Sequence, residues 1–152
     1  MLPNTVDRVP LNTSEEINQR IARETNGRVN FYAANPVGIE RRLRELDEEW
    51  DIERVLEANA ASVAFAGTVL AATVHKRWLM LPVLVTGFLF QHATQGWCPP
   101  VPFLRRMGYR TAREIETERI ALKALRGDFG KIAPAGTARD SAASHALQAA
   151  RL

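Results

Sequence analysis

The sequence predicts an all-α chain, an antiparallel two-helix transmembrane hairpin flanked by cytoplasmic amphipathic helices, and three observations carry that prediction. From Ala58 to Trp97, 40 residues hold only Lys76 and Arg77 as charges. An even spread of the chain's 24% charged residues would place about ten there. Outside this stretch helix-start signals recur: Thr13 with Glu16, Asn35 before Pro36, Asp51, and Thr111 with Glu114. Finally, no strand-like alternation and no internal repeat is present.

The whole-chain averages hide the pattern. With 152 residues, 46% hydrophobic, a net charge of +3 and a mean hydropathy of -0.19, the composition matches an ordinary soluble domain. Resolved by region, the net charge is -3 over residues 1–54, +1 over 55–97 and +5 over 98–152. No nucleic-acid motif or interleaved aromatic series accompanies the basic C-terminal third, so nucleic acid is not expected as a partner. Arginines flanking an apolar run are better explained by membrane topology. One Cys forbids an intramolecular disulfide, which suits a cytoplasm-facing protein. Residues 1–14 show neither an apolar core nor a cleavage pattern, so no secretory signal is expected.

Residues 1–54 read as an N-terminal cytoplasmic helical segment. The Thr13/Glu16 capping box starts a helix at Ser14 that carries Ile17, Ile21 and Val29 on one face, with Asn26 and Gly27 as its break. Asn35 and Pro36 open a second helix. Its pairs Glu40/Arg44, Arg41/Glu45 and Arg44/Glu48 stand at i, i+4 and describe a solvated face. Asp51 caps the helix that enters the membrane.

Residues 55–98 form the expected transmembrane hairpin, from the runs Ala58–Val74 and Trp78–Trp97. The first run rises about 25 Å as a helix, slightly short of a hydrocarbon core of about 30 Å. His75, Lys76 and Arg77 leave only a tight turn between antiparallel neighbours, and Pro82 falls in an opening turn where its missing N–H costs little. Trp78 and Trp97 are separated by about 28 Å of helical rise, which makes them interfacial anchors. Ala60, Ala64, Gly67 and Ala71 follow i, i+4, i+7, i+11 spacing and form a small-residue helix-packing face. Arg41, Arg42, Arg44 and Arg54 on one flank and Arg105, Arg106, Arg110 and Arg113 on the other outnumber Lys76 and Arg77 in the turn. That bias places both termini in the cytoplasm. The competing reading is a soluble helical oligomer that buries its central hairpins as a shared core.

Residues 99–127 continue as cytoplasmic amphipathic helices. Pro99, Pro100 and Pro102 turn the chain, and Arg105 and Arg106 beside Phe103, Leu104 and Met107 suit the headgroup region as further anchors. The Thr111/Glu114 capping box opens a helix that runs to about Arg126, stops at Gly127 and lines up Ile115, Leu122 and Leu125. Residues 128–152 read as a flexible tail, rich in Ala, Gly and Ser, with a short helix after Asp140.

Candidate chemistry collects at the base of the hairpin. Gln91, His92 and Gln95 end the second run at the depth of Glu57 and Asn59, where polar groups satisfy one another. Cys98 is a candidate reactive thiol, because helix N-terminal amides with Arg105 and Arg106 would favour a thiolate and make the chain a sulfur or persulfide carrier. His92 is a candidate axial ligand to a haem or pigment metal. One Cys and three scattered His supply no structural zinc spacing, and no cofactor is expected. Asp128, Phe129 and Gly130 match a kinase triplet without the motifs that would accompany it.

The segment Gly96-Trp97-Cys98-Pro99 after an apolar hairpin resembles the signature of the YgaP-like inner-membrane domain family, small bacterial two-helix membrane proteins of largely unknown function. The likeness covers roughly residues 50 to 112. It implies a bacterial inner-membrane hairpin with Cys98 on the cytoplasmic side. Some relatives are fused to a rhodanese sulfurtransferase domain; this sequence has none, so that activity does not carry over. The expectation is a non-enzymatic anchor or accessory subunit, in contact with membrane lipid, that forms a homo-oligomer or joins a larger membrane complex.

Overall fold

The computed structural model describes Asn4 and residues 6–130. All regular structure among them is helical: α1 (Arg8–Leu11), α2 (Glu15–Ala34), α3 (Ile39–Glu48), α4 (Ile52–Thr73), α5 (Met80–Gln95), α6 (Val101–Arg106) and α7 (Ala112–Arg126), with 3-10 turns at Pro36–Gly38 and Lys76–Leu79. The tail expected at 128–152 lies, beyond Gly130, outside the described residues.

Local signals set most helix ends. Asp51 is extended, and its carboxylate accepts the Arg54 N–H at 2.7 Å to cap α4. The capping box of α7 closes in both directions: the Thr111 N–H donates to Glu114 at 2.8 Å, and the Glu114 N–H donates to the Thr111 hydroxyl at 3.3 Å. Gly96 ends α5 in the left-handed conformation, φ 76°.

Two expectations about α2 are corrected. The Thr13 hydroxyl donates to the Val9 carbonyl at 2.9 Å and so closes the end of α1 instead of opening α2. Nor does α2 break at Asn26 and Gly27. A glycine costs roughly 1 kcal/mol inside a helix, and packing overrides it here: Ile21 before it and Tyr32 after it are both buried.

The described residues fall into two compact units, one reaching Glu24 and resuming over Glu49–Ile115, the other made of Thr25–Glu48 and the residues from Glu116 onward. In the second unit Tyr32, Ile39, Leu43, Leu46 and Leu122 are buried. Glu118, with no exposed surface, accepts from Arg28 Nε at 3.0 Å and Arg42 Nε at 2.8 Å. A carboxylate so enclosed is tolerated only because guanidinium donors satisfy it. The surface pairs Arg41/Glu45 and Arg44/Glu40 are looser, 3.6 and 3.9 Å, and add little.

The first unit contains the hairpin. α4 and α5 pack antiparallel, and Gly67 marks their closest approach. A Cβ there would lie 2.7 Å from Pro82 Cδ and 3.1 Å from Leu81 Cβ. Gly67 is buried and Ala60, Ala64 and Ala71 are half-buried, so the small-residue stripe forms the inner seam of the hairpin. Among the described residues one helical stretch, Pro36–Thr73, contains a span long and apolar enough to cross a membrane; that span falls in α4, and only 17% of it is buried. The 16 residues of α5 rise about 24 Å, and the preceding 3-10 turn adds about 8 Å.

Filling the seam gives a direct test. Gly67→Val should lower stability by about 1–3 kcal/mol, because Pro82 and Leu81 must move to admit a Cβ and its two methyl groups. Thermal unfolding in mild detergent reads this, and an unchanged midpoint would contradict the seam.

Candidate functional site

The base of the hairpin is where chemistry-bearing side chains converge. Its core is Val9, Ile52, Leu56, Cys98 and Val101, with Leu104 and Tyr109 packed against them. Gly96 makes this possible. Its left-handed φ turns the chain out of α5, and a Cβ there would fall 2.3 Å from the Arg8 carbonyl oxygen. α1 therefore lies directly on the glycine. Arg8 donates to the Ala93 carbonyl at 3.2 Å and stands 3.8 Å from Glu53, while Asn12 Nδ2 donates to the Gln95 carbonyl at 2.9 Å. These bonds satisfy carbonyls that the last turn of α5 leaves open. Burial pushes the Glu53 carboxyl above the usual carboxylate range, with Asp51 adding to the push and Arg8 opposing it.

Cys98 is 3% exposed within this apolar cluster. Its surroundings are those of an inert buried thiol, since a thiolate there would lose its hydration. The cationic neighbour expected for it is engaged elsewhere. Arg105 has no exposed surface; its guanidinium donates twice to the Glu114 carboxylate, at 2.6 and 2.8 Å, and to Asn18 Oδ1 at 3.0 Å and the Tyr109 carbonyl at 3.1 Å. It is a clamp joining α2, α6 and α7, not a headgroup anchor. Burial opposes ionisation of Glu114, but the Arg105 hydrogen bonds, the Thr111 N–H and the Arg105 charge outweigh it and hold the carboxyl below its usual range. Arg106, the next residue, is exposed.

A second bidentate pair carries no signal in the sequence. Arg110 donates from Nε and Nη2 to the two oxygens of Glu49, each at 2.7 Å, while its carbonyl accepts the Ile52 N–H at 2.8 Å. Neither residue forms a local motif with the other 61 positions away, so no spacing rule points to them.

His92 is 4% exposed, and neither ring nitrogen has a hydrogen-bond partner among the described residues. An open apolar groove of about 250 Å³ runs between α4 and α5, lined by residues that include Leu56, Val63, Phe88, Leu89 and Cys98. His92 does not line it. No cluster of three or more metal-binding side chains occurs among the described residues. Trp78 and Trp97 stand at opposite ends of α5, both exposed. The geometry thus defines a class: an all-α chain whose apolar helical hairpin is tied at its base by buried Arg–Glu pairs. No family model, curated protein or solved structure matches the chain.

The clamp makes stability depend on pH. Because the folded-state pKa of Glu114 is depressed, its contribution is full above the unfolded value of about 4.3 and is lost as pH falls through the folded value. Glu114→Gln should therefore be less stable than the parent at neutral pH, with the gap closing below roughly pH 4. Melting curves across pH in one detergent measure it, and a gap independent of pH would refute the assignment. At Cys98, maleimide labelling of the folded protein should be slow and accelerate on unfolding; Gly96→Ala should expose both the thiol and the α1 segment, read by labelling rate and limited proteolysis. Fast labelling of the native parent would contradict the buried placement.

Proposed function

We propose that the protein is a two-pass hairpin of the bacterial inner membrane, with both termini in the cytoplasm, acting without catalysis as an anchor or accessory subunit of a membrane complex. One observation carries the reading. All five hydroxyls of the apolar region return to their own helices: Ser62 donates to the Ala58 carbonyl at 2.8 Å, Thr68 to Ala64 at 2.8 Å, Thr73 to Val69 at 2.8 Å, Thr86 to Pro82 at 2.7 Å and Thr94 to Phe90 at 3.1 Å. Meanwhile Phe65, Val83, Leu84 and Phe90 are exposed by 73, 62, 53 and 72%. Hydrocarbon solvates such a surface; water does not, and no hydroxyl is left seeking a partner in lipid.

Further support comes from the flanks. The cations outside the hairpin exceed the two in its turn, which favours a cytoplasmic base, and the Gly96–Pro99 segment resembles the inner-membrane family named above. An apolar surface, with no catalytic set assembled among the described residues, suits a role in holding or completing a membrane complex.

Membrane fractions washed with alkaline carbonate test the location: the chain should stay with the bilayer, and release into the soluble fraction would favour the buried-core oligomer instead. For topology, single cysteines introduced as Lys76→Cys and Arg44→Cys in a Cys98→Ala background should differ. An impermeant maleimide should reach position 76 in intact spheroplasts and position 44 only after permeabilisation, and the reverse would overturn the orientation.

A further inference from the structure

Beside the hairpin base lies a second feature that the anchoring role does not use. A pocket of about 280 Å³ is lined by Ser14, Glu16, Ile17, Arg20, Arg23 and Arg106. Glu16, Arg20 and Arg23 follow i, i+4, i+7 spacing on one face of α2, and Arg106 ends α6. Arg20 is fixed in place: its Nη2 donates to the Arg106 carbonyl at 2.8 Å and to that of Arg105 at 3.3 Å, and Glu24 stands 3.8 Å from its Nε. Arg23 and Arg106 differ. Neither guanidinium has a hydrogen-bond or ion-pair partner among the described residues, whereas Arg8, Arg28, Arg42, Arg105, Arg110 and Arg119 each meet a carboxylate. Three cations and one carboxylate, Glu16, leave the pocket positive.

Position says what would fill it. Pro99 and Pro100, immediately before α6, line the apolar groove of the hairpin with Val63 and Phe88. Six residues of helix carry the chain only about 9 Å from there to Arg106, and an arginine side chain reaches further. Headgroup layers are roughly 5–8 Å thick on each side of the hydrocarbon. On the same short helix Phe103 is 65% exposed, and Met107 just beyond it is 60% exposed, an apolar edge beside the basic one. We infer that Arg20, Arg23 and Arg106 form a binding site for the phosphate of an anionic glycerophospholipid at the cytoplasmic surface. The inference rests on the hairpin being in a membrane. Charge complementarity supplies the selectivity: planar guanidinium forks bind phosphate oxygens in pairs, and a zwitterionic headgroup brings its own competing cation.

The test uses the full chain in mild detergent, titrated with fluorescent phosphatidylglycerol, with phosphatidylcholine and inorganic phosphate as competitors. Arg23→Gln and Arg106→Gln should each weaken phosphatidylglycerol binding roughly fivefold, and the double variant on the order of twentyfold. These substitutions remove no described side-chain bond, so helical content by circular dichroism should not change. Arg41→Gln with Arg44→Gln removes the same charge elsewhere and should leave binding intact. Equal losses in both double variants, unchanged binding in Arg23→Gln/Arg106→Gln, or full displacement by inorganic phosphate at equal concentration would each overturn the site. Retention in carbonate-washed membranes is scored separately: a chain retained there without preference for phosphatidylglycerol overturns this inference and leaves the hairpin standing.

Discussion

A single buried cation organises the base on which the hairpin stands. Arg105 lies at the end of a six-residue helix too short to hold itself together, and its Nη1 and Nη2 donate to Asn18 of α2, Glu114 of α7 and the Tyr109 carbonyl of its own connection. Removing such a charge's partner costs about 3–5 kcal/mol, more than most contacts in a small domain contribute. The direction of dependence follows. Arg105 fixes the turn after α6, that turn fixes Arg110, and the Arg110 carbonyl receives the first N–H of α4 at 2.8 Å. The helix that opens the hairpin is thus aimed by a chain of polar contacts that begins more than fifty residues downstream.

This arrangement explains which parts of the molecule could be read from residues in order. Wherever the cause was local the sequence sufficed: the Asp51 cap, the reciprocal Thr111/Glu114 box, the stop at Gly127 and the proline in the first turns of α5 all involve groups within a few positions of one another. Helical periodicity likewise named Ala60, Ala64, Gly67 and Ala71 as one face. It could not say what covers that face, because any helix would fit a smooth stripe; the Pro82 ring and Leu81 do so from within the chain. Thr13 failed as a cap for a similar reason, since its hydroxyl had a nearer acceptor in the Val9 carbonyl, supplied by a one-turn helix too short to leave a periodic signal.

The charged residues show the limit most clearly. Sequence spacing names pairs one helical turn apart, and of the three it names on α3 the two that form, Arg41/Glu45 and Arg44/Glu40, are exposed and long. The pairs that enclose charge, Arg28 and Arg42 on Glu118 and Arg105 on Glu114, are set by which helices pack together. Arg105 and Arg106 illustrate it in two letters. Adjacent and identical in type, they read as one basic patch, yet the helix turns about 100° between them, sending one inward to complete the base and the other out to solvent.

The hydroxyls along the hairpin carry a further meaning for assembly. Each of the five is committed to a carbonyl one turn back, so the flank presents no free hydroxyl to a neighbour arriving sideways. A partner helix reaching that flank would be recognised by contour alone: the steps left by Ala61, Ala66 and Gly87 between the bulk of Phe65, Phe88 and Phe90. Recognition by contour is gradual, since each lost methyl costs little and several imperfect fits have similar energies. On the proposed membrane reading, lateral association at such a surface would be promiscuous, and discrimination between partners would fall to the charged residues at the hairpin base.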